Sequence, residues 1–225
     1  LRVDCAAGDT SCSPIAWYLY TSVIPKPCAG MGLQFSSFHS YLSSGINLQG
    51  NAVCATADGG LVAVGFTASG TAIPGRTPLI PFSGSLGDAL VVKWDSIGNV
   101  VWFTYLGIGS ANIQLDKIAE TGDGGIVLLG YMNGPGNFPV GGLSPILPGT
   151  TGDDTDIYIV RLRSDGSLAW HTVLGGGGSG NEYDNGGLVV MDDGSIYISG
   201  TAGSGAPASM GSVNASVPFT AGDNN

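Results

Sequence analysis

An internal repeat of roughly 65–70 residues constrains this chain more than any other feature. Asp58-Gly59-Gly60, Asp123-Gly124-Gly125 and Asp193-Gly194-Ser195 each precede a short apolar run ending in glycine: Leu61–Gly65, Ile126–Gly130 and Ile196–Gly200. A second register joins Asp88–Asp95 to Asp156–Arg163. A third joins Trp102–Gly107 to Trp170–Gly175 and, more loosely, to Phe38–Ser43. The spacings are 65 and 70, then 68, then 64 and 68. Three markers drifting together describe one duplicated unit with variable loops.

Each unit reads as four strands. Strand A is expected near 51–57, 116–121 and 187–191, and strand B near 61–66, 126–131 and 196–201. Strand C is expected at 88–95 and 156–163, and strand D at 100–106 and 168–174. Asp-Gly and Gly-Asn pairs supply the positive φ that tight hairpins need, so the meander is antiparallel. Long Gly/Pro/Ser loops separate B from C, and Gly-rich links such as 175–180 separate the units. Four-stranded meanders in series are how propellers are built. The fold expected is all-β, a β-propeller-like array of four-stranded antiparallel blades preceded by an N-terminal cysteine-containing segment, residues 1–35. Within residues 36–225, strand D at 36–43 is followed by blades at 51–107 and 116–175 and a partial blade at 187–225.

The 39 glycines and 12 prolines fit turns and strands, and 43% hydrophobic residues argue against low-complexity disorder. A chain of this size buries about 70% of its unfolded surface when compact. A net charge of −10 disfavours nucleic acid and anionic membrane surfaces as partners, because phosphate binding rests on Lys and Arg. No apolar stretch approaches the length of a transmembrane helix. Beginning at Leu1 with no apolar leader, the chain is expected to be a processed or excised piece. Four cysteines fit an oxidising compartment. Cys12–Cys28 is the preferred pairing, closing a loop around Ile15–Ile24, and Cys54 is placed in a strand where a buried free thiol is an equal alternative.

The run from Asp88 to Gly107 resembles the bacterial secreted β-propeller repeat family, as does Gly130–Pro139, and the likeness covers residues 36–223. The B–C loops, Thr67–Gly87 and Asn133–Asp154, are longer than that family's pattern. The resemblance implies an exported protein, like those of spirochaetes, secreted or on the extracellular face of the bacterial outer membrane, with no activity attached. Propellers hold about four to eight blades. These repeats are too few to close a ring, so a longer protein or a strand-completing partner chain is expected.

No catalytic constellation stands out. His39 and His171 occupy matching places in strand D, behind the aromatic anchor, as duplicated architecture produces. Zinc-ligand spacing is absent, and Gly175–Gly180 lacks the lysine of a phosphate cradle. Asp153, Asp154 and Asp156, with Thr151 and Thr155, are the candidate metal ligands, since calcium takes six to eight oxygens; solvated turns are the plainer reading. Glu182–Asp184 and Asp192–Asp193 add carboxylates, while Asp123 and Asp193 are expected in Asx-turns. Trp94, Trp102 and Trp170 read as packing between blades, with a sugar-stacking platform as the sharper alternative. Lys93 and Arg161 are expected to face solvent or to snorkel. Ser13-Pro14-Ile15, before Trp17, Tyr18 and Tyr20, suggests a short helix capping the array. The first functional expectation is a non-enzymatic module binding proteins or glycans through its B–C loops. The alternatives are an assembly unit completed at its open edges by another chain, and a glycan-active hydrolase or lyase, which needs converging carboxylates.

Overall fold

The computed structural model describes residues 48–70, 73, 75–84, 87–108, 111–134, 139–145, 155–174 and 186–200. These form ten strands and no helix. The first sheet contains β1 (Leu48–Ala55), β2 (Leu61–Thr67), β3 (Asp88–Trp94) and β4 (Val100–Leu106). The second contains β5 (Asn112–Glu120), β6 (Ile126–Asn133), β7 (Thr155–Leu162) and β8 (Leu168–Leu174). In each, sequence order is spatial order and every pairing is antiparallel. A third unit contributes the hairpin of β9 (Leu188–Val190) and β10 (Ile196–Ile198). The expected helix, the Cys12–Cys28 bridge, the strand at 36–43 and His39 lie outside the described residues.

The repeat extends to irregularities of the backbone. The β1–β2 ladder shifts register between Gly50 and Ala52, and the β5–β6 ladder shifts between Leu115 and Lys117, sixty-five residues on. The β3–β4 shift at Lys93/Trp94 recurs in β7–β8 at Arg161/Leu162. An extra residue increases local twist and re-aims a strand, so the two sheets share their curvature as well as their order. The bulge also lets strand A run on, which is why β1 and β5 begin three to four residues before the expected 51 and 116.

Alternation along the strands gives each sheet a forward and a back face. Val62, Val64, Ala89, Val91 and Leu106 of the first sheet's forward face pack against Ile126, Leu128, Tyr158, Val160 and Leu162 of the second sheet's back face, forming the main core. The second sheet's forward face, with Val127, Leu129, Ile157 and Ile159, receives Leu188, Val190, Ile196 and Ile198 of the hairpin. Both junctions therefore have the same polarity, forward onto back. On the back of the first sheet Leu90, Val92, Trp94, Phe103 and Tyr105 form a third cluster with Ile73 and Phe82. Phe82 and Phe103 each meet Tyr105 edge-on, at 5.6 and 5.9 Å between ring centres.

Candidate functional site

The polar chemistry of the described residues concentrates at the A–B and C–D turns and along the B–C loops. In the first A–B turn the Asp58 carboxylate accepts from Thr56 Oγ1 (2.6 Å), Gly60 N (3.0 Å) and Lys93 Nζ (2.7 Å). The second turn repeats this with Asp123, which accepts from Thr121 Oγ1 (2.6 Å), Gly125 N (3.2 Å) and Arg161 Nη2 (2.6 Å). In the third, Asp193 accepts from Ser195 N (2.9 Å). The Asx-turns expected at Asp123 and Asp193 are present. Partial burial works against ionisation of Asp58, but the Lys93 ammonium, Thr56 and the Gly60 amide together outweigh it and bring its pKa to about 2. Thr121, then Arg161 and the Gly125 amide, hold Asp123 well below the usual carboxylate range.

Lys93 and Arg161 do not face solvent; they follow the alternative, snorkelling, with buried stems whose head groups reach the exposed carboxylates of Asp58 and Asp123. Lys93 is buried, and the Arg161 side chain is 13% exposed. Strand C is an inner strand covered on both faces, so its alternation leaves no solvent side. Each cation instead passes over the glycine that follows the turn. A methyl group at Gly60 would overlap Lys93 Nζ and the Trp94 carbonyl, and one at Gly125 the Arg161 guanidinium and the Leu162 carbonyl.

Polar ties also cross the junction between the sheets. Glu120 accepts from the Ala57 amide through both oxygens (2.9 and 3.1 Å), and Asn51 Nδ2 donates to Leu115 O (2.9 Å). Burial raises the Glu120 pKa, opposed by the Ala57 amide and reinforced by the Asp58 charge. Trp102 lies against Gly166 of the next C–D turn, where a methyl group would overlap the indole ring, and its Nε1 donates to Ser164 O (3.1 Å). The φ of +82° at Gly166 is one that only glycine adopts without strain. Trp102 is thus packing between sheets, as expected; Trp170 joins the cluster between the second sheet and the hairpin, and Trp94 the one on the back of the first sheet.

The first B–C loop is partly structural. Leu79 N donates to Phe103 O (3.0 Å) and Tyr105 N to Ile80 O (3.1 Å), so the loop lies along β4 and occupies the outer edge of the sheet. Ser83 ties the loop back to the buried Asp88, its amide to Oδ2 (2.7 Å) and its hydroxyl to Oδ1 (2.5 Å). Burial pushes the Asp88 pKa up, against the lowering effect of those two bonds. In the second sheet the turn Val140–Leu143 sits over β8, where Leu143 O is 2.9 Å from His171 Nε2. His171 is fully buried on the back face beside Tyr158, ring centres 5.7 Å apart, and burial lowers its pKa. It belongs to the core, as its duplicated position implied. Gly141 of this loop lies so close to Ile80 of the first that the two loops form one continuous layer.

Of the three candidate metal ligands, Asp156 is buried at the start of β7, at the place Asp88 takes in β3. Asp153 and Asp154 lie outside the described residues, as do Thr151, Glu182–Asp184 and the glycine link at 175–180. Among the described residues no group of three His, Cys, Asp or Glu side chains is placed to hold a metal. Cys54 is buried and disulfide-bonded, which sets aside the free thiol at that position. The Ser83–Asp88 tie, the Glu120–Ala57 bond and the edge pairing of the loop had no sequence pattern to announce them. Only the aspartate opening strand C recurs, as Asp88 and Asp156.

No protein-family model matches this chain, and no curated protein is significantly similar to it. Among the described residues no helix is long and apolar enough to cross a membrane.

Proposed function

We propose that this chain is a non-enzymatic, secreted or surface-exposed β-propeller-like module that binds protein or glycan partners through its B–C loops. The observation that carries this reading is the contrast between scaffold and loops. Strand order, bulges and turn ties repeat from one sheet to the next, while the loop layer differs in length, sequence and contacts. Variable loops on a repeated scaffold are where recognition usually resides. The layer also carries two exposed leucines on neighbouring loops, Leu79 (48%) and Leu143 (40%). Same-polarity stacking of four-stranded meanders supports the propeller-like arrangement, and the disulfide at Cys54 supports an oxidising compartment. Calcium held by Asp153, Asp154 and Asp156 is a further proposal of this reading, as a rigidifier of the second B–C loop.

An immobilised glycan array and a panel of immobilised extracellular proteins, both probed with the intact chain, test the reading. It expects saturable binding that a Leu79→Ser/Leu143→Ser variant loses while keeping its melting temperature. Binding unchanged in that variant, or absent from both panels, counts against it.

A further inference from the structure

The third unit differs from the two before it in what lies beside its B strand. β2 is flanked by β1 and β3, and β6 by β5 and β7, whereas β10 has the single neighbour β9 among the described residues. Met191 N donates to Ser195 O and Ser199 N to Gly187 O on the β9 side. Antiparallel alternation therefore turns the backbone groups of Ile196 and Ile198 to the opposite edge, the one where Leu61 and Ala63 meet β3, and Ile126 and Leu128 meet β7.

Two further observations mark the same place. Trp102 is sealed by the Ser164–Gly166 turn of the following sheet, but its counterpart Trp170 is half-buried, with no hydrogen bond to Nε1 among the described residues. Forward-face residues of the first sheet, Ala89, Val91, Thr104 and Leu106, are all at 0% exposure. Their counterparts Ile157, Ile159, Thr172 and Leu174 retain 9, 7, 8 and 8%. The incompletely covered area is the one that a C–D hairpin of the third sheet would overlie, continuing the interface that Leu188, Val190, Ile196 and Ile198 already make.

We infer that the open edge of β10 accepts a β-hairpin of this repeat's own C–D type, which pairs antiparallel with β10 and places its turn on Trp170. The third A–B turn also specifies how that hairpin differs from β3–β4 and β7–β8. Where Lys93 and Arg161 pass over Gly60 and Gly125 to reach Asp58 and Asp123, a Cβ at either glycine would overlap the cation, and the third unit has Ser195 at that place. Thr56 and Thr121, which bond those aspartates, are replaced by Met191. Threonine and glycine have changed together, so the hairpin that fits carries a small uncharged residue where Lys93 and Arg161 stand. Its first strand must diverge from β10 beyond Ile196, because a Cβ at Gly60 or Gly125 would also overlap the strand C carbonyl of Trp94 or Leu162, and Ser195 carries that Cβ. The inference rests on the equivalence of the three units and not on loop binding.

A synthetic peptide of residues 155–174, fluorescently labelled and titrated with the intact protein, supplies the test, in its natural form and as Arg161→Ala. The Arg161→Ala peptide is expected to bind saturably at one per chain and more tightly than the natural one. A Met191→Thr/Ser195→Gly protein, with the passage rebuilt, is expected to reverse that order, by about fivefold for an ion pair at the surface. Ile198→Pro, which removes an edge donor, is expected to abolish binding of either peptide. Absence of saturable binding by either peptide overturns the inference, including the case in which the chain's own residues occupy the edge. So does binding with the same preference before and after the passage is rebuilt.

Discussion

The junction between the first and second sheets can be set beside the junction between the second sheet and the β9–β10 hairpin. Both place a forward face on a back face, and equivalent residues make the apolar contact. At the first junction the apolar contact is fastened by Trp102 on Ser164, Asn51 on Leu115 and Glu120 on Ala57. At the second, no C–D turn covers Trp170 among the described residues, and the places of Asn51 and Glu120 are taken by Asp116 and Val190. The hairpin's own forward face has no further unit on it among the described residues, and Tyr197 there is 63% exposed where Val62 and Val127 are at 0%. Shape complementarity of the repeated faces sets where sheets stack, and the polar ties together with a complete set of four strands set how firmly.

The largest contrast should come from matched core truncations. Leu128 and Ile198 occupy equivalent back-face positions in the second and third units. Leu128→Ala, in the closed junction, is expected to cost about 3 kcal/mol in urea unfolding. Ile198→Ala is expected to cost less than half as much, since the side chain is only half-buried. Equal costs would mean that the hairpin is as well packed as the sheets.

Glycine replacements sharpen the same contrast. Gly166 and Gly194 share a left-handed backbone, φ +82° and +84°, but a methyl group at Gly166 overlaps Trp102 and Leu79, and one at Gly194 meets nothing within 4 Å. Gly194→Ala is expected to cost about 1 kcal/mol for its backbone alone. Gly166→Ala should cost at least about 1 kcal/mol more and also shift the tryptophan emission. Trp102→Phe, which loses one buried hydrogen bond, is expected to cost about 1 kcal/mol beyond its change in packing, and Trp170→Phe none of that.

Acid is the mildest probe. Asp58 has a folded-state pKa depressed to about 2, so its contribution is fully present above the ordinary carboxylate value and is lost as pH falls from about 4 towards 2. Its side chain is 62% exposed, which limits the effect to about 1 kcal/mol or less. Glu120 and Asp88 have raised values, so their ionisation opposes folding, and what they contribute is present at low pH and lost as pH rises through their folded values. An Asp58→Asn variant should flatten the acid limb of stability measured by thermal melts between pH 2 and 5. An unchanged limb would show that Lys93 does not hold the Asp58 carboxylate.

Much of this architecture was readable from residues alone, because hairpin strands and turns depend on local chemistry. The Asp-Gly turns, the expected spans of strands C and D, and the pairing of His171 with the back face all follow from alternation and positive-φ glycines. The bulges at Asn51 and Asp116 did not, since an inserted residue leaves no compositional trace. The burial of Lys93 and Arg161 was hidden because alternation gives a side chain's face but not what covers it. The loop's place along β4 and the Ser83–Asp88 tie depend on contacts within an irregular segment, where no period guides the reading. For the candidate site, the sequence identified which loops vary, and the structure showed how much of the first one is spent on its own sheet.

Amide hydrogen exchange at matched strand positions tests the central claim most directly. If the third unit repeats the first two but lacks its covering strand, amides of Leu128 in β6 and Ala63 in β2 should exchange only through global unfolding. The Ile198 amide in β10 should then exchange faster by orders of magnitude. Equal protection at the three positions would contradict the account, because it would mean that β10 is already closed on its open side.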